Sequence, residues 1–258
     1  MKILVCVKQV PDSWSERQLT AEHTLDRGAA DRVINDLDTY AVEAALQLQE
    51  THGGQTIALS MGPELAEDAI RKALQMGIDE GVLVTDAALA GSDAIATSLA
   101  LTKAIEKVAP DLVIMGVEST DAKMSVVPAM VAERLGWPML TLATSVVIEG
   151  VNATITRQTA AGHDVVTADL PAVVSVVEKF NEPRYPSFKG ITSAKKKTVD
   201  HWGIADLGID AATVGTGGSA TTVTAAVARP ARSAGVIIED DGTAVAALVD
   251  FLAQRRLI

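Results

Sequence analysis

The first half of the chain alternates short apolar runs with longer segments of helical periodicity. The apolar runs, rich in Val, Ile and Leu, lie at 2–10, 55–60, 81–85 and 110–116. Helical spacing follows them at 36–50, 63–75, 92–108 and 124–135. An apolar run without polar alternation indicates a strand buried on both faces, as in a parallel sheet. This βαβαβαβα order predicts right-handed crossovers, and therefore an α/β fold with a Rossmann-like, doubly wound and mostly parallel sheet.

Beyond Pro138 the pattern changes, because apolar or alternating runs follow one another with no helical segment between them. These runs lie at 139–148, 153–158, 163–170 and 171–177. Strands joined by short connections are typical of antiparallel pairing, so we predict a set of antiparallel strands added to the core. The run at 171–177 would form the rigid base of the segment that follows it.

A polar segment that contains Pro183 and Pro186 leads to Phe188 and then to three consecutive lysines at 195–197. Prolines restrict the conformations of a loop, and a rigid loop is suited to presenting a surface to a partner. We therefore predict a core domain at 1–190 that includes an exposed loop at 181–190. The lysines have two interpretations, a solvated edge or a docking patch.

From residue 191 to residue 258 we predict a C-terminal arm. The segment 213–224 is small and polar, as linkers are. Helical spacing returns at 242–258, with an apolar stripe formed by Val245, Leu248, Val249 and Leu252. A helix beyond a linker has to bury such a stripe, either on its own core or on another subunit.

Composition and charge exclude several classes of protein. The formal net charge of −11 disfavours nucleic acid or an anionic membrane as the main partner. No apolar run reaches the length of a membrane span, so no membrane insertion is expected. The single cysteine, Cys6, excludes an intrachain disulfide and a cysteine-rich metal site. With an N-terminus that lacks the features of a signal peptide, these points predict a cytoplasmic protein.

Ligands of parallel α/β sheets bind beyond the carboxyl ends of the strands. The segment 116–125, which leads into a predicted helix, could hold an anion with its backbone amides. It lacks the GxGxxG and Walker patterns, so an ordinary βα loop is the alternative interpretation. The four histidines are scattered, and no HExxH, GxSxG or paired-cysteine pattern is present. We therefore predict no catalytic and no metal-ligating residues, and rank a binding or cofactor-bearing module above a hydrolase.

Five blocks of sequence, in order along residues 1–208, resemble the β subunits of electron transfer flavoproteins. They are ILVCVKQVPD at 3–12, IND with AVEAAL at 34–46, SMGP with MGID at 60–79, DLVIMGVESTD at 111–121, and NEPRYPSF at 181–188 followed by AKKK at 194–197. The resemblance implies one half of an αβ heterodimer whose α subunit holds most of the redox FAD, while the β subunit binds a structural AMP. It also implies that the complex accepts electrons from flavin dehydrogenases, such as acyl-CoA dehydrogenases, and passes them to a quinone oxidoreductase.

The resemblance also assigns site residues by motif position. AMP would be bound by Cys6, Asn35, Met61, Gly62, Asp121, Ala122, Lys123, Ser125, Val126 and Val127. The loop at 122–127 departs from the family pattern, so the phosphate would depend on backbone amides, Ser125 and Lys123. The dehydrogenase would dock on Tyr185, Phe188, Lys189 and Ile191, with Phe188 as an apolar anchor where better-known members have Leu.

Two alternatives stay open. One lies within the family, a bifurcating subunit that holds a second FAD in place of AMP. The other is of a different class, a free-standing adenine-nucleotide-binding protein or hydrolase on the same Rossmann-like core.

Overall fold

The structure is a computed structural model that describes residues 1–227, 229–231, 235 and 237–258. Its strands are β1 (Lys2–Cys6), β2 (Gln9–Pro11), β3 (Arg32–Ile34), β4 (Gln55–Met61), β5 (Glu80–Val84), β6 (Leu112–Gly116), β7 (Met139–Glu149), β8 (Asn152–Thr159), β9 (Gly162–Asp169), β10 (Ala172–Val176) and β11 (Val199–Trp202). Its helices are α1 (Asp36–His52), α2 (Glu67–Met76), α3 (Ala94–Val108), α4 (Val127–Leu135), α5 (Phe188–Ala194), α6 (Gly215–Gly218) and α7 (Ala244–Gln254), with short 3-10 turns at Glu64–Ala66, Ala87–Leu89, Ala205–Leu207 and Ala211–Thr213.

Within the described residues, nine strands form one sheet in the order β11-β5-β4-β1-β6-β10-β7-β8-β9. Every pair from β11 to β7 is parallel, and only the β7-β8-β9 end is antiparallel. Successive residues of β1 enter two different cores, because Ile3 and Val5 pack with α1 and α2 while Leu4 packs with α3 and α4. Helices on both faces explain the unbroken apolar runs and confirm the predicted fold class.

The prediction for the strand before the proline-containing loop is wrong. We expected the run at 171–177 to join the added antiparallel set, whereas β10 lies between β6 and β7 and is parallel to both. All five of its residues are buried, as expected for a central strand. The physical reason is that the chain returns past β7 after the β8–β9 hairpin. β10 therefore follows β9 in the sequence but is not its neighbour in the sheet.

The first apolar run is two strands and not one. β1 ends at Cys6, and the next residues leave the sheet to form the small antiparallel pair β2–β3. At the break, the Lys8 amide donates to Asp38 Oδ2 (2.8 Å) and the Lys8 carbonyl accepts from the Asn35 amide (2.8 Å). The start of α1 therefore takes the hydrogen bonds that would have continued the strand.

The helix predicted at 124–135 begins later, at Val127. Lys123 and Ser125 have φ values of 49° and 56°, which are incompatible with a right-handed helix. Pro128 lies in the first turn, as predicted, where its missing N–H is tolerated.

The described residues form two compact units, Met1–Thr224 and Ala225–Ile258. The arm was predicted to start at 191, which is too early, because β11 extends the sheet beside β5 and Leu207 and Val214 are buried. Residues 228, 232–234 and 236 of the predicted arm lie outside the described residues. The second unit contains α7, whose predicted stripe residues Val245, Leu248 and Val249 are exposed. In the part of the chain that the structure describes, each helix is too short or too polar to cross a membrane.

Candidate functional site

A cavity of about 360 Å³ opens at the carboxyl ends of β1, β4 and β6. The connections from β1 and β6 leave the sheet on opposite sides there, which makes it the topological switch point where ligands of such sheets bind. Its inner surface is mainly apolar, formed by Cys6, Leu59, Met61, Leu101, Met115 and Val127. Its rim is polar and carries Lys8, Arg27, Glu118, Ser119, Asp121 and Ser125. An apolar interior with a few polar groups is typical of a small-molecule site.

Asn35 does not line the cavity, but its hydrogen bonds connect two segments that form the cavity wall. It is fully buried, and its Nδ2 donates to Asp38 Oδ1 (2.8 Å) and to the Glu118 carbonyl (2.9 Å). Its Oδ1 accepts from the Thr120 amide (3.0 Å). Asn35 therefore ties the first turn of α1 to the loop that follows β6. Gly116 permits this approach, since a Cβ there would collide with the Asp38 carboxylate.

Asp38 is a buried carboxylate in the cavity wall. It accepts hydrogen bonds from the Lys8 amide and from Asn35, yet burial, with a smaller contribution from the nearby Asp121, raises its pKa to about 7. Burial also raises the pKa of the Cys6 thiol, and the Asp38 charge adds to this increase. Cys6 is therefore a neutral thiol that offers an apolar contact and no nucleophile.

Asp121 joins two cations at the rim. It accepts from Lys8 Nζ (2.8 Å) and from an Arg27 guanidinium nitrogen (2.7 Å), while Lys8 also donates to Ser119 (3.1 Å). Burial acts to raise the pKa of Asp121, but the Lys8 ammonium and the hydrogen bonds to the carboxylate lower it to about 2. With two cations on one carboxylate, this cluster carries a net positive charge at neutral pH.

The loop before α4, part of which lines the cavity, contains backbone donors without an acceptor in the part of the chain that the structure describes. Among the described residues, no acceptor is found for the amides of Met124, Ser125, Val126 and Val127. They sit at the N-terminus of α4, where the helix dipole favours a negative charge. The Ser125 hydroxyl is already engaged, because it donates to Glu118 Oε2 (2.7 Å). An anion in this loop would therefore bind mainly to backbone amides.

The structure brings together some of the predicted nucleotide residues and leaves others aside. Cys6, Met61, Asp121, Ala122, Ser125 and Val127 line the cavity, whereas Asn35, Gly62, Lys123 and Val126 do not. Sequence reasoning placed Lys8 at the carboxyl end of the first strand without giving it a role, and it missed Arg27 and Asp38. Arg27 lies in a segment without a pattern, and Asp38 was interpreted as part of a solvated helix face.

A second candidate surface surrounds α5. Tyr185 and Phe188 are 94% and 87% exposed, and Lys189 and Ile191 are exposed beside them. Phe188 begins the helix, and Ser187 caps it by accepting the Gly190 amide (3.0 Å). The predicted exposure of Phe188 is confirmed.

The lysine run has two different parts. Lys195 and Lys196 are exposed, whereas Lys197 is half-buried and donates to the carbonyls of Gly77 (3.1 Å) and Ile78 at the end of α2. Burial lowers the pKa of Lys197. Lys197 is therefore a structural helix cap and not part of a solvated edge or a docking patch.

Comparison with known proteins gives a consistent result. Residues 23–207 match the family model described as "Electron transfer flavoprotein domain". A protein of Mycobacterium tuberculosis named electron transfer flavoprotein subunit beta is 45% identical to this chain, over 99% of both. A protein of Megasphaera elsdenii with the same name is 34% identical over 99% of this chain and 97% of its own length. The "Caffeyl-CoA reductase-Etf complex subunit CarD" of Acetobacterium woodii is 34% identical over the full length of both.

Proposed function

Because this chain belongs to the electron transfer flavoprotein family, as a β subunit, we propose that it forms an αβ heterodimer that carries electrons between flavoproteins. The donor is a flavin dehydrogenase, such as an acyl-CoA dehydrogenase, and the acceptor is a quinone oxidoreductase. The complex works in the cytoplasm. The observation that carries this proposal is that one compact unit has both a cavity at the switch point and, apart from it, an exposed apolar surface at α5.

The cavity suits an adenine mononucleotide. Its volume is near the lower end of the range of ligand cavities, about 300–1,000 Å³, and its apolar interior matches a purine ring. The unpaired amides at 124–127 and the net charge of the Lys8–Arg27–Asp121 cluster match a phosphate. Bound AMP would be structural, with no reacting group placed against it. The FAD, held mainly by the α subunit, supplies the redox chemistry, and this chain supplies no acid or base to it.

A second candidate is a bifurcating subunit with FAD in the cavity in place of AMP. It is favoured by the 34% identity to a subunit of a caffeyl-CoA reductase–Etf complex. The free-standing nucleotide-binding protein or hydrolase is disfavoured by the full-length match to β subunits.

Counting released nucleotides tests the choice between these two candidates. The heterodimer is purified, denatured and analysed by liquid chromatography, and we expect one AMP and one FAD per heterodimer. Two FAD molecules and no AMP would establish the bifurcating type. A colourless monomer that turns over ATP would refute both family assignments of the cavity.

We also propose that residues 225–258 pack on the α subunit. The exposed side chains of Val245, Leu248 and Val249 form an apolar face that a partner would cover. Ending the chain at Thr224 leaves the larger compact unit intact, including the hydrogen bonds that Asp93 accepts from Ala220 and Thr221.

This truncation should weaken the affinity for the α subunit at least tenfold, as measured by calorimetry. The full-length variant Leu248→Asp should weaken it in the same direction, because it places a charge on the same face. The variant Asp250→Asn, on an exposed residue of the same helix, should have no effect. Equal affinities of the truncated and complete chains would show that this unit does not bind the α subunit.

A further inference from the structure

Arg184 lies in the middle of the exposed loop before α5, yet its charge is directed to the protein and not to solvent. Its Nε donates to Glu43 Oε2 (2.7 Å), and a terminal nitrogen donates to Glu43 Oε1 (2.9 Å). The other terminal nitrogen donates to Glu50 Oε1 (2.6 Å), and the Arg184 amide also donates to Glu43 (3.1 Å). Both carboxylates belong to α1, so one guanidinium fixes the loop to one helix at two points.

Glu43 is the stronger of these two partners. Its side chain is only 5% exposed, while that of Glu50 is 60% exposed. Gln47 also donates to Glu43 (2.9 Å), so Arg184 and Gln47 together fix the orientation of this carboxylate. A bidentate guanidinium–carboxylate pair fixes the direction of the loop as well as its distance. Asn181 adds a further attachment, since its Nδ2 donates to the Tyr40 carbonyl (3.0 Å).

The other end of the surface is attached to α2. Gly190 approaches the Gln75 carbonyl so closely that a Cβ would collide with it. Arg71 donates to the carbonyl of Ala194 (3.1 Å), the last residue of α5, and to that of Lys197 (2.9 Å), just beyond the helix. Between these two attachments, Tyr185 and Phe188 are exposed without packing of their own. Their positions therefore depend on Arg184 on one side and on α2 on the other.

We propose that Arg184 is a positioning residue, which holds the loop on α1 through Glu43 so that Tyr185 and Phe188 meet the dehydrogenase in one prepared geometry, and that it makes no contact with the dehydrogenase itself. This inference rests on the proposed function and on the expected docking of the dehydrogenase at the surface around α5. A loop that is ordered before docking loses less conformational freedom on docking, which favours a lower KM. In the proposed heterodimer the FAD is held mainly by the α subunit, so we expect the rate at saturation to be unaffected.

Two substitutions on the two sides of the pair test this proposal. Arg184→Lys keeps the charge and loses the two-pronged geometry. Glu43→Gln removes the negative charge and one of the two acceptor oxygens, and it leaves the sequence of the exposed loop unchanged. The heterodimer that contains each variant is used as the electron acceptor for a medium-chain acyl-CoA dehydrogenase, which is reduced by octanoyl-CoA. We expect both variants to raise the KM for the heterodimer about tenfold, with kcat within about twofold of the wild-type value and unchanged FAD content.

The pairing of the variants makes the result decisive. If Arg184→Lys raises the KM while Glu43→Gln does not, Arg184 contacts the dehydrogenase directly and the proposal is wrong. If kcat and FAD content fall together with affinity, the pair serves folding and not positioning. The control Glu106→Gln removes an exposed ion pair with Lys103 on α3 and should leave KM unchanged.

A second measurement does not depend on the dehydrogenase. Limited digestion of the heterodimer with a lysine-specific endoproteinase should cleave Glu43→Gln after Lys179 and Lys189 several times faster than the wild type, because the loop is released. Cleavage at the wild-type rate would overturn the proposal. If the wild-type heterodimer accepts no electrons from the dehydrogenase, the proposed function fails, while the digestion still shows whether Glu43 holds the loop.

Discussion

The variant Asp38→Asn should be less sensitive to pH than the wild type over the range from about pH 4 to pH 7. Asp38 lies in the cavity wall, and burial raises its pKa from 3.8 to about 7, against the opposing effect of its bonds from Asn35 and Lys8. In this range the folded protein keeps a proton on Asp38 that the unfolded chain has released. Stability therefore falls as the pH rises through this range, and it stops falling above the folded pKa.

The difference in pKa corresponds to a loss on the order of 4 kcal/mol across the whole range. We expect the unfolding free energy of the wild type to decrease relative to that of Asp38→Asn by roughly 3 kcal/mol between pH 5 and pH 8. Urea unfolding of both heterodimers at one fixed protein concentration measures this difference, because terms common to both proteins cancel. Asp36→Asn, on an exposed carboxylate of the same helical turn, is the control and should follow the wild type. Parallel profiles of the wild type and Asp38→Asn would show that Asp38 is ionised in the folded state.

The sheet was largely predictable because its strands carry their own signal. Runs such as Leu112–Gly116 are apolar at every position, and only a strand covered by helices on both faces accommodates that composition. The place of Ala172–Val176 was not predictable in the same way. Its composition indicates a central strand equally well, but its neighbours depend on the path of the chain after β9, which no local pattern encodes.

The charged residues show a sharper limit. Asp38 and Glu43 lie on α1, and their charge suggested a solvated face, whereas both are buried. Their partners explain the difference. Asp38 is held by Lys8, 30 residues away, and Glu43 by Arg184, 141 residues away. A buried charge requires such a partner, and a partner that is distant in sequence cannot be found from helical periodicity. The NEPRY motif contains Arg184, but the motif alone does not show that this arginine points inward.

Phe188, three residues beyond the NEPRY motif, carries the second large expected effect. Phe188→Ala should reduce the efficiency of electron transfer from an acyl-CoA dehydrogenase about 30-fold, since loss of an apolar anchor at a hot spot typically costs about 2 kcal/mol. The side chain is 87% exposed and begins α5 without packing against the core, so its removal should hardly change the stability of the protein. FAD and AMP contents should be those of the wild type.

Interprotein electron-transfer kinetics, followed by stopped-flow absorbance of the flavin, measure this effect. Phe188→Leu keeps an apolar anchor and should retain most of the wild-type rate. Val165→Ala removes a different exposed apolar side chain, on β9, and should leave the rate unchanged. The Arg184–Glu43 pair, which limits cleavage by the lysine-specific endoproteinase, is intact in Phe188→Ala. This variant should therefore be cleaved at the wild-type rate. A normal transfer rate for Phe188→Ala would place the anchor on another residue, and Tyr185, 94% exposed on the same loop, would then be the next to replace.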